Sequence, residues 1–372
     1  MCALQTLELI GCPRDRGYQH GTALREGVHR FYKVWMEHSI NDSSLRLNEA
    51  DLLAFGDKHG PYIKHYAPDL YEEMEGIAEG ADIALEKMIF INCFDEGVES
   101  LMIPQLGAKL TGHPLPPSAA PMQGCTSFAA FGEGTTDGKV YIGQGYDVGD
   151  VYYEPVILRI GPWEYEPEQL VYSHAGVLGV AGMNGAGIAI VENSLKPSDQ
   201  QFGVPYPVVV RKALQQTTLS DFLQAIIVAP RACGQNYVIA TPCCAADIET
   251  SATQWEFKYL QDGIFGHANH YEFPEMKHLD LWPEWLPDSL VRSGRMHQLL
   301  KAKFGKLDRS SLEEIMRDHA NYPNAICRHR DSRGGTYGTL SSIICKPEDG
   351  LMLVSDGTPC TNPFLEFRIP AD

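Results

Sequence analysis

Met122-Gln123-Gly124-Cys125-Thr126-Ser127-Phe128-Ala129-Ala130-Phe131 is the stretch on which the fold turns. A Gly-Cys step ends a proline-rich run, and a segment with the alternation of a β-strand starts directly after it. Such a cysteine, taken alone, is ordinarily a small core hydrophobe, since free Cys is among the most buried residue types. The residues on either side shift that balance. Upstream, 103–123 carries Pro104, Pro114, Pro116, Pro117 and Pro121 and reads as a loop or linker, longer than is usual inside a compact domain. Downstream, Thr126 to Gly132 is predicted to be a strand, Asp137-Gly138 a hairpin turn, and Lys139 to Asp147 the returning strand.

The same alternation continues. Val156 to Ile160, Leu170 to His174 and Leu178 to Gly182 are predicted strands, and Asn184-Gly185 turns the chain into Gly187 to Asn193. Asn236 to Thr241, Gln254 to Tyr259, Ile264 to Ala268, Tyr337 to Cys345 and Leu351 to Ser355 follow, the last pair joined by Asp349-Gly350. Helical periodicity appears over 15–38, 51–66, 69–80, 207–215, 220–228, 287–304 and 311–320, the last opening on a Ser310-x-x-Glu313 capping box, while Met88 to Cys93 is a short apolar stretch. Strands joined mainly by hairpins argue for antiparallel sheets rather than a doubly wound parallel one. Two stacked sheets with helices outside would bury all these segments.

Composition narrows the function. The 372 residues are 44% hydrophobic and 21% charged, an ordinary globular balance. A net charge of −18 and a pI near 5.1 argue against sequence-independent binding of nucleic acid or anionic membrane. The first ten residues lack the basic and apolar regions of a signal peptide, and no window reaches the length of a membrane span. The ten cysteines include no C-x-x-C pair and read as reduced thiols of a cytoplasmic protein. No cofactor fingerprint and no metal site are read from the sequence; His267 and His270 lie at a strand end, where a metal site is not expected.

For Cys125 to act as a nucleophile, a base must activate the thiol and donors must stabilise the tetrahedral intermediate. Thirteen histidines leave a Cys–His pairing open, although no papain-like signature surrounds Cys125. A second route uses no histidine. Cutting the chain before Cys125 frees an α-amine with a pKa of about 7.7–8.0, placed to take the proton of its own thiol. Gly124 lets the thiol reach the preceding carbonyl.

Gly124-Cys125-Thr126-Ser127, then a hairpin, then Gly143-Gln144-Gly145-Tyr146-Asp147, resembles the acyl-coenzyme A:6-aminopenicillanate acyltransferase family of self-cleaving N-terminal-nucleophile (Ntn) cysteine hydrolases. Tyr66 to Ala81 is similar to that family's helical prosegment and Gly182 to Leu195 to its central hairpin. Asn269-His270-Tyr271, Ser289 to Leu300 and Asp318 to His329 resemble its later blocks. The resemblance implies an α+β fold, a four-layer αββα sandwich of two antiparallel sheets. It implies a precursor cut at Gly124–Cys125 into a helical chain, 1–124, and a chain of 125–372 that stay together as one intertwined domain.

It also implies roles. Cys125 would be the nucleophile, Asp147 would hold the α-amine, Asn269 would give an amide N–H to the oxyanion hole, Asn193 would be a second donor, and Arg328 an electrostatic support. Bile-salt hydrolases have Arg three residues before the Asp; Gln144 stands here, which favours the acyltransferase branch. The implied reaction is hydrolysis of a linear amide C–N bond in a small N-acyl compound. The alternatives are coenzyme A-dependent acyl transfer from an acyl thioester, or an uncleaved protein that binds acylated metabolites without turnover. No cofactor is implied, and assembly as a homo-oligomer stays open. Competing readings are a turn-capping Asp147, a purely structural Asn184 in its Asn-Gly turn, buried structural amides at Asn236 and Asn269, and plain surface charges at Arg292 and Arg295.

Overall fold

The computed structural model describes residues 4–42, 47–94, 96, 123–149, 154–281, 283, 286–331 and 337–370. The proline-rich run over 103–122 lies outside the described residues. In chain order the described strands are β1 (Gln5–Leu9), β2 (Gln123–Ala130), β3 (Tyr141–Val148), β4 (Pro155–Ile160), β5 (Gln169–His174), β6 (Ala181–Asn184), β7 (Ala189–Leu195), β8 (Gly234–Thr241), β9 (Cys244–Thr250), β10 (Trp255–Tyr259), β11 (Ile264–His267), β12 (Gly338–Lys346), β13 (Leu351–Ser355) and β14 (Phe364–Arg368). The helices are α1 (Pro13–Ala23), α2 (Arg25–Asp42), α3 (Glu49–Asp57), α4 (Gly60–Tyr66), α5 (Pro68–Ala81), α6 (Leu85–Asn92), α7 (Tyr206–Leu214), α8 (Leu219–Val228), α9 (Asp288–Ala302) and α10 (Arg309–Ile315). The chain is α+β, and it divides into two compact units that interleave in sequence.

The first unit takes Met1–Ala120, Val151–Val180 and Ser198–Cys233. Its strands lie in the order β1-β4-β5, with β1 parallel to β4 and β4 antiparallel to β5. The parallel pair departs from the all-antiparallel expectation; parallel neighbours need a long crossover, and the chain between β1 and β4 contains α1 to α6. Pro68 begins α5, where its missing N–H costs nothing, and Asp82 ends it in the left-handed region. Helices α1 and α5 touch backbone to backbone. A Cβ on Gly17 would lie 2.0 Å from the Glu73 carbonyl oxygen, and one on Gly76 2.2 Å from that of Arg14. Beside this crossing, the buried Glu73 carboxylate takes both Nη atoms of Arg211 at 2.9 and 3.1 Å, with Arg16 Nε 3.7 Å away. The expected single helices over 15–38 and 51–66 are each broken in two, the first at Leu24. The apolar stretch at 88–93 belongs to α6.

The second unit takes Pro121–Asp150, Ala181–Pro197 and Gly234–Asp372. One sheet runs β6-β7-β8-β9-β10 and the other β11-β2-β3-β12-β13-β14, with the described strand ladders of this unit antiparallel. The face of β2 and β3 turned inward packs on β7 and β8; the outward face is covered by α9 and α10. Phe128 of β2, Met296 and Leu300 of α9, Leu312 and Ile315 of α10 and Ile344 of β12 share one apolar cluster. This unit therefore supplies three layers of the expected sandwich, sheet, sheet and helix. The expected strand over 178–182 is shorter and later, at β6. The cap of α10 is Asp308 with Ser311, not Ser310 with Glu313, because the Glu313 carboxylate is engaged by Arg309 and Arg317.

Candidate active site

β2 starts at Gln123, so Gly124 and Cys125 are its second and third residues, inside the ladder rather than at its edge. Gly124 faces Asp147 and Cys125 faces Tyr146 on β3. Side chains alternate along a strand, which divides the surroundings of this one peptide bond between two faces of the sheet.

On the inter-sheet face lies the Cys125 thiol, 1% exposed. Gln144 Nε2 stands 4.0 Å from Sγ, and Gln144 Oε1 accepts the backbone N–H of Glu192 on β7 at 2.7 Å. Asn193 is also on β7, but its amide reaches Ser127 Oγ at 2.7 Å and Asn236 Oδ1 at 3.1 Å. Asn193 therefore touches the residue two positions along from the cysteine, and on its other side joins the network Asn193–Asn236–Asp247. Beyond it, His267 sits between Asn193 and Glu249. Burial pushes its imidazole down, but Glu249, Glu272 and Asp247 outweigh this and raise it to about 9.

The opposite, helix-side face carries the charges. Arg292 of α9 is buried and spans four acceptors. Nη1 donates to the Cys125 carbonyl and to Thr126 Oγ1 at 2.8 Å, Nη2 to Asn269 Oδ1 at 2.8 Å, and Nε to Asp288 Oδ2 at 2.8 Å. The expectation that Arg292 might be only a surface charge is corrected here, because Met296, one turn on, is a core residue and puts both on the covered face of α9. Arg295 is partly exposed and pairs with Asp318. Arg328 lies over the Tyr337 ring, 4.8 Å from its centre, with Nη1 3.2 Å from Asp288 Oδ2 and Nε 3.9 Å from Asp147 Oδ2. Asp147 Oδ1 accepts from Thr339 Oγ1 at 2.6 Å. One buried carboxylate, Asp147, and one part-buried, Asp288, thus face two buried guanidiniums.

Asn269 binds the peptide itself. Its Oδ1 accepts the Cys125 N–H at 2.9 Å, and its Nδ2 donates to the Ser194 carbonyl at 3.0 Å, leaving one Nδ2 hydrogen uncommitted in that pair of bonds. Ser289 Oγ, at the start of α9, accepts the Asn269 N–H at 2.7 Å and fixes its place. The structure brings Gly124, Cys125, Asp147, Asn269 and Arg328 around one bond and sets Asn193 one neighbour away. Asp288 and Thr339, not read from the sequence, and Arg292, read there as a surface charge, complete the site. No motif marks them, since their roles follow from burial.

Burial dominates the electrostatics of this arrangement. Burial, with Glu192 and Asp147, holds the Cys125 thiol well above its ordinary range, against a smaller pull from Arg292 and the Asp147 backbone. Burial likewise raises Asp147 to about 7, despite Arg328, Arg292 and Thr339. Burial and Arg292 lower Arg328. Arg328 Nε and Nη1 and Asp147 Oδ2 make no hydrogen bond among the described residues. Donors without a hydrogen bond of their own are what a developing oxyanion needs. A cleft of about 580 Å³ lined by Lys258, Gly266, Glu272 and His297, among others, includes none of the residues around Gly124–Cys125.

The chain is similar to known proteins. The family model described as acyl-coenzyme A:6-aminopenicillanic acid acyl-transferase matches residues 135–359, more than half of the chain. The chain belongs to that family. The matched span of this family member includes Asp147, Asn193, Asn269 and Arg328 and begins after Cys125. A relative from Emericella nidulans, the 40 kDa form of acyl-coenzyme A:6-aminopenicillanic-acid-acyltransferase, is 25% identical over 346 residues, covering 90% of this chain and 87% of its own. An uncharacterized protein from Archaeoglobus fulgidus is 24% identical over 354 residues, 86% of this chain but 58% of that one. Among solved structures, penicillin V acylase from Agrobacterium tumefaciens aligns with a TM-score of 0.44 and 14% identity over 66% of this chain and 86% of its own. A mutant conjugated bile acid hydrolase from Clostridium perfringens aligns with 0.43 and 9% over 66% and 97%. No described helix is long and apolar enough to cross a membrane.

Proposed function

We propose that this protein is an N-terminal-nucleophile cysteine amidohydrolase. It would be made as one precursor, cut itself between Gly124 and Cys125, and then hydrolyse the linear C–N amide bond of a small N-acyl compound. The observation that supports this most is the convergence of Asn269, Arg292 and Arg328 on the Gly124–Cys125 peptide. A Cβ placed on Gly124 would lie 2.9 Å from Arg328 Nη1, 3.5 Å from Asn269 Oδ1 and 3.7 Å from Arg292 Nη2. A glycine before the thiol is what lets these groups close on the bond.

In the first reaction Cys125 Sγ adds to the Gly124 carbonyl carbon and the C–N bond breaks. The thiol proton passes to the Cys125 nitrogen, and water hydrolyses the thioester to free Gly124 as a carboxylate. Arg328 Nη1, 2.9 Å from where a Cβ on Gly124 would stand, is the guanidinium nitrogen proposed to meet the oxygen that gains charge. The products are chains 1–124 and 125–372. The freed α-amine then occupies the place of the present Cys125 N–H, beside Asn269 and on the strand pair that carries Asp147. With a pKa of about 7.7–8.0 it takes the thiol proton in the second reaction. Cys125 attacks the substrate carbonyl, the amine product leaves with that proton, and water resolves the acyl-enzyme.

The Emericella relative supports a second reading, in which an acyl thioester of coenzyme A acylates Cys125 and an amine replaces water. Intact mass spectrometry of freshly purified protein tests cleavage. Two chains meeting at Gly124/Cys125 are expected, and a single uncut chain for Cys125→Ala; one intact species in both would defeat the proposal. Partition of a trapped Cys125 acyl-enzyme between water and added amine then decides hydrolysis against transfer.

A further inference from the structure

Four side chains outside the site converge on one point: His319, Cys327, His329 and Cys360 place their ligand atoms within 4.8 Å of one another. His319 Nε2 is 2.9 Å from His329 Nε2, while Cys327 Sγ and Cys360 Sγ are 3.6 and 3.5 Å from that same nitrogen. A tetrahedral zinc with bonds of about 2.0–2.1 Å to nitrogen and about 2.3 Å to sulfur separates its ligands by about 3.3 Å (N to N) and about 3.6 Å (N to S). The four atoms therefore stand almost at coordination distance before any ion is considered. We propose that His319, Cys327, His329 and Cys360 bind one zinc ion in a closed, structural Cys2His2 site.

The surrounding backbone is built to hold these ligands still. The Cys327 N–H donates to the Asp318 carbonyl at 3.0 Å and the His329 N–H to the Pro323 carbonyl at 3.0 Å. The Tyr322 ring stacks on His329, with centres 5.3 Å apart. On the other segment, Arg317 Nε donates to the Pro359 carbonyl at 2.9 Å, and Thr358 Oγ1 to the Thr339 carbonyl at 3.0 Å. Cys360 is thereby anchored next to the 319–329 loop. Two imidazoles and two thiols suit zinc, a borderline ion that takes nitrogen and sulfur, better than calcium or magnesium, which take oxygen. Binding releases both thiol protons, so two thiolates neutralise the dication.

The site would carry a consequence for the chemistry. Arg328 lies between Cys327 and His329, with its own side chain directed to Asp288 and Asp147. A metal gripping the residues on either side fixes the backbone from which Arg328 reaches Gly124. The rival use of this cluster is a Cys327–Cys360 disulfide. It would leave two imidazole nitrogens facing each other with no role beyond a mutual hydrogen bond.

Elemental analysis of the full chain, purified under reducing conditions from zinc-supplied cells, decides between them. About one zinc per chain is expected, in the wild type and equally in Cys125→Ala, so the result does not depend on cleavage. The chelated protein should take up one Co²⁺ with the absorption of tetrahedral thiolate-bound cobalt. Cys360→Ser and the exposed-site change His319→Ala should each weaken Co²⁺ binding by about tenfold or more. Folded wild-type protein that holds no zinc and takes up no Co²⁺ would overturn the proposal. So would purification without reductant yielding a wild-type chain lighter by two hydrogens, with Cys327 and Cys360 in one linked peptide and no metal.

Discussion

The buried carboxyl of Asp147 makes a pH-dependent prediction with a definite sign. Its folded-state value is raised from the ordinary 3.8 to about 7, chiefly by burial. The folded protein therefore holds this proton more tightly than the unfolded chain. The stability it contributes is fully present below pH 3.8 and is lost as pH rises through 7. At 1.36 kcal/mol per unit, a difference of about three units amounts to about 4 kcal/mol between acid and pH 8. The clean measurement is a difference between two chains, both carrying Cys125→Ala so that neither is cut. One keeps Asp147 and the other has Asp147→Asn, which preserves an acceptor for Thr339 and cannot ionise. Urea unfolding at intervals from pH 4 to 8 gives each stability, and other titrating groups, Asp247 and the buried histidines included, cancel to first order. The Asn variant should gain on its parent steadily as pH rises, by a few kcal/mol in all. A flat difference would mean that Arg328 and Arg292 balance burial, and an Asp147 chain that gains as pH rises that they outweigh it; in either case the reasoning would fail.

Three further outcomes follow from the same geometry. Gly124→Ala pushes a methyl against Arg328, which Asn324 and Asp288 hold in place; it should cost about 1–3 kcal/mol and slow the appearance of the two chains, followed by electrophoresis over time. Arg292→Lys keeps a charge but cannot span the Cys125 carbonyl, Thr126, Asn269 and Asp288 together. Loss of one charge-assisted bond, about 1.5 kcal/mol, predicts roughly tenfold slower cleavage in the same assay. In the first unit, Arg211→Met removes both hydrogen bonds to the buried Glu73, leaving it Arg16 at 3.7 Å, and should lower stability by about 3 kcal/mol in urea unfolding. The paired change with Glu73→Met should restore much of that loss.

Much of the second unit was legible because its signals are local. Asn184-Gly185 is a turn whose Asn184 Oδ1 accepts the N–H groups of Ala186 and Ile188, as expected for that pair. The Asp137-Gly138 connection brings β2 back along β3 and so sets Gly124 opposite Asp147. Strands β1, β9 and β14 were passed over. β9, Cys-Ala-Ala-Asp-Ile-Glu-Thr, has few of the β-branched and aromatic residues that mark a strand, and its place comes from pairing with β8 and β10. The Gly-x-x-x-Gly spacing of Gly17 with Gly21 and Gly76 with Gly80 is visible, yet only the α1–α5 contact shows that the glycines meet backbone.

The sequence by itself determined the α+β class, the hairpin that joins Cys125 to Asp147, and the resemblance that points to self-cleavage. Those depend on neighbours in the chain, on turn residues and on alternation. Tertiary structure alone decided that Arg292 is buried and grips the Cys125 carbonyl. It also decided that Asn193 lies beyond Ser127, and that His319, Cys327, His329 and Cys360 meet. Charge, amide and thiol acquire their roles from what surrounds them once water is removed, and residues far apart in the chain supply those surroundings.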